Sequence, residues 1–494
     1  MLVFIALAAW GVSDPVGSSP DDDFHLSSIW CGAGERGDLC AAGDVAGKQR
    51  VPQGLLNAEC FALGSSPTAA CQPDLDSAGS QHLIEARTNV SGLYPPVFYA
   101  ALSVFASHDI DLSVVVMRLI NSALFVVVTV LLFLLLPRRR RRTLVLAWTL
   151  GLVPLGMSLI PSTNPSSWAI LGAGTMWLSL LGWFESTGRK RVGLAVLTIV
   201  STLLAVGARA DSSVYAIVAV AAVLLQTQRW RRADWTVSRL WLPGVVVLLS
   251  IGFYFTASQG SQAAGGLSGG AAPSRLGDLI VLLASNTLAL PSLWAGVFGT
   301  ASLGWFDTAM PSLVWIFMLV IVGAMVFWGI AAPRWRKGLA LVGLAAVLTL
   351  LPLYLLEASG VRVGTQVQPR YLLPLIIVVL GFAMLDADSR PLRLSRVQLW
   401  ALGSVVAVAN AVALLANLKR YTIGTAQPTL KLLHGADWWW PAGVPSPVVV
   451  VAIGGLDFAA ALAILLSSEI MRVDRGLLSD ASESLVEQEA GVPA

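Results

Sequence analysis

The chain has 494 residues, 56% of them hydrophobic and only 12% charged, with a mean hydropathy of +0.73. A water-soluble domain, in which roughly a quarter of residues are charged, is excluded by that balance. The chain reads as an all-α polytopic membrane protein, and its net charge of +3 is too small to point to a nucleic-acid partner.

Apolar runs of the roughly 17 to 25 residues that a hydrocarbon core requires recur along the chain. They lie at 112–136, 143–160, 166–185, 192–208, 213–228, 240–258, 311–331, 339–356, 371–386, 398–417 and 447–468, and with a first segment at 1–13 they make about twelve transmembrane helices. The first segment is short for a span and lacks the basic n-region of a signal peptide.

Basic residues crowd into alternate connections: Arg138 to Arg142, Arg189/Lys190/Arg191, Arg229/Arg231/Arg232/Arg239, Arg334/Arg336/Lys337, Arg390/Arg393/Arg396 and Arg472/Arg475. Lys and Arg in short loops mark the cytoplasmic side, so both termini are expected inside and the long segment 14–111 outside. Cysteine usage agrees independently: Cys31, Cys40, Cys60 and Cys71 all fall in that outer loop, where disulfides persist. Four cysteines allow three connectivities; no CxxC pair favours zinc, and no metal ligand is assigned.

The organisation expected is a first span at 1–13, a disulfide-bearing loop at 14–111, helices 2–7 over 112–258, a Gly/Ser-rich linker and broken apolar segment over 259–310, helices 8–12 over 311–468 and a tail at 469–494. The apolar stretches 91–107 and 276–303 each have outer segments on both flanks, which reads as helices lying at, or re-entering from, the outer interface. Neither GxGxxG after a strand nor GxxxxGK[ST] is present, so cytoplasmic nucleotide chemistry is not expected.

Chemistry-bearing residues gather on the outer side. The stretch "SSPDDDFHLSSIWCG" carries Asp21, Asp22, Asp23 and His25: a solvated turn, or a general base whose pKa is raised by neighbouring carboxylates. Arg118 lies about two turns inside a span, which marks a functional cation or a packing pair with Asp211. Arg209, Asp211 and Arg370, with Tyr371 beside it, stand at outer span ends, as interface anchors or as groups aimed at a lipid phosphate. Asn164 reads as a helix cap ahead of Pro165 or as a site residue, and Asp307 as the cap of the next helix or as a site residue. "DWWWP", 437–441, reads as an aromatic belt or as a surface for stacking sugars.

Four motifs follow one another: "PDDDFH", "LYPPVFY", "GWFDTAMP" and "QVQPRYLLPL". Together they resemble a family of bacterial polytopic membrane proteins known as a domain of unknown function, and that family in turn resembles the GT-C class of glycosyltransferases. The second acidic position is Asp22 where the family often has Glu, and "QVQPRY" lacks the family's glycines. The resemblance implies a GT-C-like fold in the bacterial plasma membrane and sugar transfer from a polyprenyl-phosphate donor to a cell-envelope glycan or lipid-linked acceptor. It makes one of Asp21, Asp22 and Asp23 the base, with Asp22 first and Asp23 next. His25, Arg118, Asn164, Arg209, Asp211, Asp307, Arg370 and Tyr371 are the candidate substrate contacts. A divalent cation is compatible with the acidic cluster but not required by it. The competing reading is a transporter or flippase for a lipid-linked precursor, which would carry charges near the midplane.

Overall fold

The computed structural model describes residues 1–64, 67–227, 236–258, 275–331, 334–385, 394–424, 437–440, 444–468 and 471. Among the described residues nine helices are long and apolar enough to cross a membrane: Ile110–Leu135, Ser166–Glu185, Gly188–Ala208, Val237–Thr256, Leu276–Thr300, Ser312–Ile330, Trp335–Ser359, Arg396–Thr422 and Pro447–Ser467. Leu2–Val12, Asp211–Thr227 and Pro369–Ala383 are shorter apolar helices.

Two expected elements take a different form. The run 143–160 is not one helix: Arg138–Gly151 stops ahead of Pro154, which has no N–H to give, and a short Leu155–Leu159 helix follows. The run 276–303, read as a broken apolar segment, keeps Pro291 inside the helix. It breaks instead at Gly299, whose φ of 105° is open only to glycine at low cost.

The helix Ser166–Glu185 is the centre of the bundle, with 94% of its apolar window buried. It packs closest against Gly188–Ala208, because Gly172 lets the backbones meet: a Cβ there would stand 2.4 Å from the Ser201 carbonyl oxygen. Hydroxyls then bond across the seam, Thr175 to Ser201 and Thr198 to Ser179, both at 2.9 Å. Small residues with interhelical hydrogen bonds replace the hydrophobic drive that lipid cannot supply.

Basic connections meet at one end. Arg139 and Arg140 pair with Glu185 at 3.0 and 2.6 Å, Arg191 donates to the Ser238 carbonyl, and Lys337 donates to the carbonyls of Gly329, Ala383 and Leu385. We call this the arginine pole. Arg229, Arg231, Arg232, Arg390, Arg393, Arg472, Arg475, the linker 259–274 and the tail 472–494 lie outside the described residues.

The opposite, disulfide pole carries a folded unit between the first helix and Ile110–Leu135. Its parts are the helix Asp22–Trp30 and an antiparallel sheet of β1 (Ala41–Ala42), β2 (Lys48–Pro52) and β3 (Leu83–Arg87), in that order. A short helix, Val97–Leu102, completes it; rather than lying flat at an interface, this helix buries Phe98, Tyr99 and Leu102 in the protein. Cysteines pair between sequence neighbours, Cys31 with Cys40 and Cys60 with Cys71.

Candidate functional site

Asp21 sets the geometry of the acidic cluster. Its φ of 60° is left-handed, an uncommon conformation for a residue with a side chain, and the helix that starts at Asp22 turns the next two carboxylates to different sides. Asp22 opens the helix Asp22–Trp30 and is fully buried, Oδ1 accepting from the Thr163 hydroxyl and Oδ2 from the Ser19 N–H, both at 3.0 Å. Burial pushes its carboxyl up to about 7, against the pull of Arg118 and these hydrogen bonds. Asp23 turns to Arg87 at the surface.

Asp21 alone of the three reaches the Arg370 guanidinium, with 42% of its side chain exposed. Burial opposes its ionisation, yet Arg370, by charge and hydrogen bond, and Arg209 hold its carboxyl below the usual range. Arg370 is 3% exposed in the first turn of Pro369–Ala383, its Nη2 bonded to Asp21 and to the Tyr371 hydroxyl. Its Nε and Nη1 have no hydrogen-bond partner among the described residues. Arg209 pairs with Asp211 at 2.6 Å and faces the rings of Tyr371 and Tyr94 at 4.4 and 5.8 Å. His25 is buried among Phe24, Tyr94 and Tyr99, its Nδ1 bonded to the Tyr99 hydroxyl at 2.9 Å. Burial drives its pKa down to about 3, so the ring is neutral.

Three of the four sequence motifs therefore meet: Asp21 and His25, Tyr94 and Tyr99, Arg370 and Tyr371, with Arg209 and Asp211 joining from the next connection. A narrow crevice leads from Arg370 past Pro20, Leu155, Leu159, Gly296 and Phe306. A larger groove of about 820 Å³ lies at the arginine pole between Arg396–Thr422 and Pro447–Ser467, remote from these residues and lined largely by alanine and leucine.

Other candidates are placed differently. Arg118 does not join Arg209 and Arg370, nor does it pair with Asp211. Its Nη1 and Nη2 are spent on the carbonyls of Gly11, Asp14 and Pro15 and on the Ser18 hydroxyl, closing the turn that follows the first helix. Asn164 accepts from the Ser166 N–H at the start of its helix and donates to the Pro20 carbonyl at 2.8 Å, tying that start to the acidic stretch. Asp307 does not cap the helix that begins after Pro311; it forms a buried pair with Arg420 at 2.8 Å. Among the described residues no group of three or more His, Cys, Asp or Glu side chains could hold a metal ion.

Sequence reasoning passed over Thr163 and the two tyrosines, although Tyr94 and Tyr99 stood inside a quoted motif. Arg420 gave a signal of the same kind as Arg209 and Arg370, a cation at the end of an apolar run.

The fold and site define a polytopic membrane protein with a buried arginine–carboxylate site at the disulfide pole. The family described as predicted membrane protein, DUF2142, matches residues 4–379, and the chain belongs to it. That match takes in every residue of the site from Asp21 to Tyr371. No curated protein and no solved structure matches the chain.

Proposed function

We propose that the protein is a GT-C-like glycosyltransferase of the bacterial plasma membrane, crossing it about twelve times with both termini cytoplasmic and the disulfide pole outside. It transfers a sugar from a polyprenyl-phosphate donor to a cell-envelope glycan or lipid-linked acceptor. The observation that carries this reading is Arg370, which is buried beside a half-exposed carboxylate and has two guanidinium nitrogens without a partner among the described residues. Such a group is built for an anion that is not part of the chain, because an unmade hydrogen bond to a buried charge is expensive.

In the reaction, the acceptor hydroxyl gives its proton to Asp21 as its oxygen forms a bond to the anomeric carbon. The bond from that carbon to the phosphate oxygen breaks, and the charge left on the lipid phosphate is met by Arg370 and Arg209. A phosphate that engages Arg370 loosens its hold on Asp21 and so raises the basicity of that carboxylate just when it is needed. Asp22, with both oxygens bonded and no exposure, anchors the turn instead. The described buried cations lie toward the two poles, Arg118, Arg209, Arg370 and Arg420 at one and Arg140, Arg142 and Lys337 at the other, which fits a surface reaction better than a midplane transport path.

The test is transfer of labelled sugar from polyprenyl-phosphate donors in membranes carrying the wild type, Asp21→Asn or Arg370→Gln. Asp21→Asn should lower turnover by about 10²–10⁴-fold. Wild-type rates in both variants would remove the reading.

A further inference from the structure

His25 takes no part in the steps above, yet it stands at their centre. It lies one helical turn beyond Asp21, its own backbone N–H donating to the Asp21 carbonyl at 2.9 Å, and the charges that act on its ring are those of Asp21, Arg370 and Arg209. The ring meets Phe24 and Tyr94 edge to face, with centroids 5.5 and 5.3 Å away, and stacks on Tyr99 at 6.1 Å.

Tyr99 decides which nitrogen carries the proton. Its hydroxyl is buried, and burial pushes its pKa well above the usual value, so the hydroxyl keeps its proton. Among the described residues its one hydrogen-bond partner is His25 Nδ1. A proton on Nδ1 would strand the hydroxyl proton without an acceptor, and an unmade bond of a buried group is costly. The hydroxyl therefore donates to Nδ1. A neutral imidazole has one N–H, which then belongs to Nε2.

Nε2 lies on the other edge of the ring. It makes no hydrogen bond with a described residue and is not closed off from solvent. A second proton on this ring would make it a counter-ion of Asp21 and lower the basicity of the carboxylate that has to take the acceptor's proton. Held neutral by burial, the ring leaves Asp21 to that task and still presents an N–H near Arg370 and Arg209. Such a donor is strongest toward an oxygen that carries negative charge.

We propose that His25, fixed by Tyr99 in its Nε2–H form, is an uncharged hydrogen-bond donor to the phosphate of the lipid donor, with Tyr99 as a positioning residue. The identity of that phosphate rests on the function proposed above; the tautomer does not.

The full chain with isotope-labelled histidine, held in nanodiscs, would be read by long-range proton–nitrogen NMR, His25 being assigned among the four histidines by its loss in His25→Gln. The wild-type ring should be uncharged and in the Nε2–H form from pH 5 to 8. Geranyl phosphate, a short prenyl phosphate, should move the Nε2–H proton downfield; an equal response to inorganic phosphate at the same concentration would make the ligand a free phosphate and overturn the lipid assignment. His25→Leu, which removes the donor, should weaken geranyl phosphate binding about tenfold or more, whereas His25→Gln, whose amide reaches the same position, should retain most of the affinity and guards against misfolding. Tyr99→Phe should admit the Nδ1–H form and weaken binding about twofold or more, where a tyrosine that only packs would leave the tautomer unchanged. Arg370→Gln should lose geranyl phosphate with the tautomer unaltered, which separates the two proposals. An Nδ1–H or charged ring, an Nε2–H that bound geranyl phosphate does not move, or a leucine variant that binds as the wild type does would overturn the inference and leave the transfer reaction standing. Failure of geranyl phosphate to bind the wild type would remove both.

Discussion

The guanidinium of Arg209 lies over the ring of Tyr371, 4.4 Å from its centroid, and Arg370 approaches the same ring to 5.2 Å. Two cations on one ring stay together only because each has a counter-charge, Asp211 for the first and Asp21 for the second. Cation–π contacts contribute about 0.5–2 kcal/mol each. Tyr371→Leu should therefore raise the donor concentration needed for half-maximal transfer by about 2- to 30-fold, with Tyr371→Phe close to the wild type. Donor titrations decide the point; a leucine variant that matches the wild type would show that the ring does not organise the arginines.

Arg118 should behave as a structural residue. Its fork gathers carbonyls of Gly11, Asp14 and Pro15, and a lysine cannot reach all of them. Stranding buried carbonyls costs about 1–3 kcal/mol each. Arg118→Lys should lower the apparent melting temperature in detergent while leaving donor affinity in the surviving protein unchanged. Unaltered melting with weakened donor binding would return Arg118 to the phosphate site.

Most of the helices were legible because a membrane span needs only length and apolarity, both local properties of the sequence. Arg209 and Arg370 were legible as candidates too, since a charge at a span end has few uses. Arg118 shows where the reading ran out. Its depth in an apolar run was visible, but the carbonyls it binds lie about a hundred positions earlier, in a turn that no periodicity announces. Asp307 and Arg420, 113 positions apart, were hidden in the same way. Among the three aspartates, what sets them apart is the partner each finds, Arg370 for Asp21, Thr163 and Ser19 for Asp22 and Arg87 for Asp23, and adjacent identical residues carry no trace of that.

The loop around Cys60 and Cys71 is held by more than its disulfide. Arg420 donates to the carbonyls of Phe61, Gly64 and Pro67, and Gln72 donates to those of Val16 and Ala58. Replacing both cysteines by serine should cost about 2–4 kcal/mol, the usual contribution of a bridge. Arg420→Met should cost as much or more, because it leaves Asp307 buried and unpaired at about 3–5 kcal/mol. Chemical unfolding of the two variants side by side gives the order. A cysteine variant clearly less stable than Arg420→Met would make the disulfide the main fastening.

Asp22 should leave a signature in the dependence of stability on pH. Its folded carboxyl titrates at about 7 rather than at the ordinary 3.8, chiefly because of burial. The native state therefore binds more protons than the unfolded chain between those values, and stability falls as pH rises through that window, flattening above it. Asp14, raised to about 6 by burial, adds to the lower part of the fall, and Glu59, raised to about 9 by burial and by the three aspartates, extends it upward. Asp21, held below its usual range, acts with the opposite sign: its contribution is lost as pH falls. Asp22→Asn removes the titration and can keep both hydrogen bonds, its oxygen accepting from the Ser19 N–H and its amide donating to the Thr163 hydroxyl. Apparent melting temperatures measured from pH 5 to 8 should decline for the wild type and decline less for Asp22→Asn, so that curves aligned at the acid end diverge toward the alkaline end, with the variant the higher. Parallel curves across the window would mean that Asp22 is already ionised at pH 5, and that the buried cation Arg118 outweighs its burial.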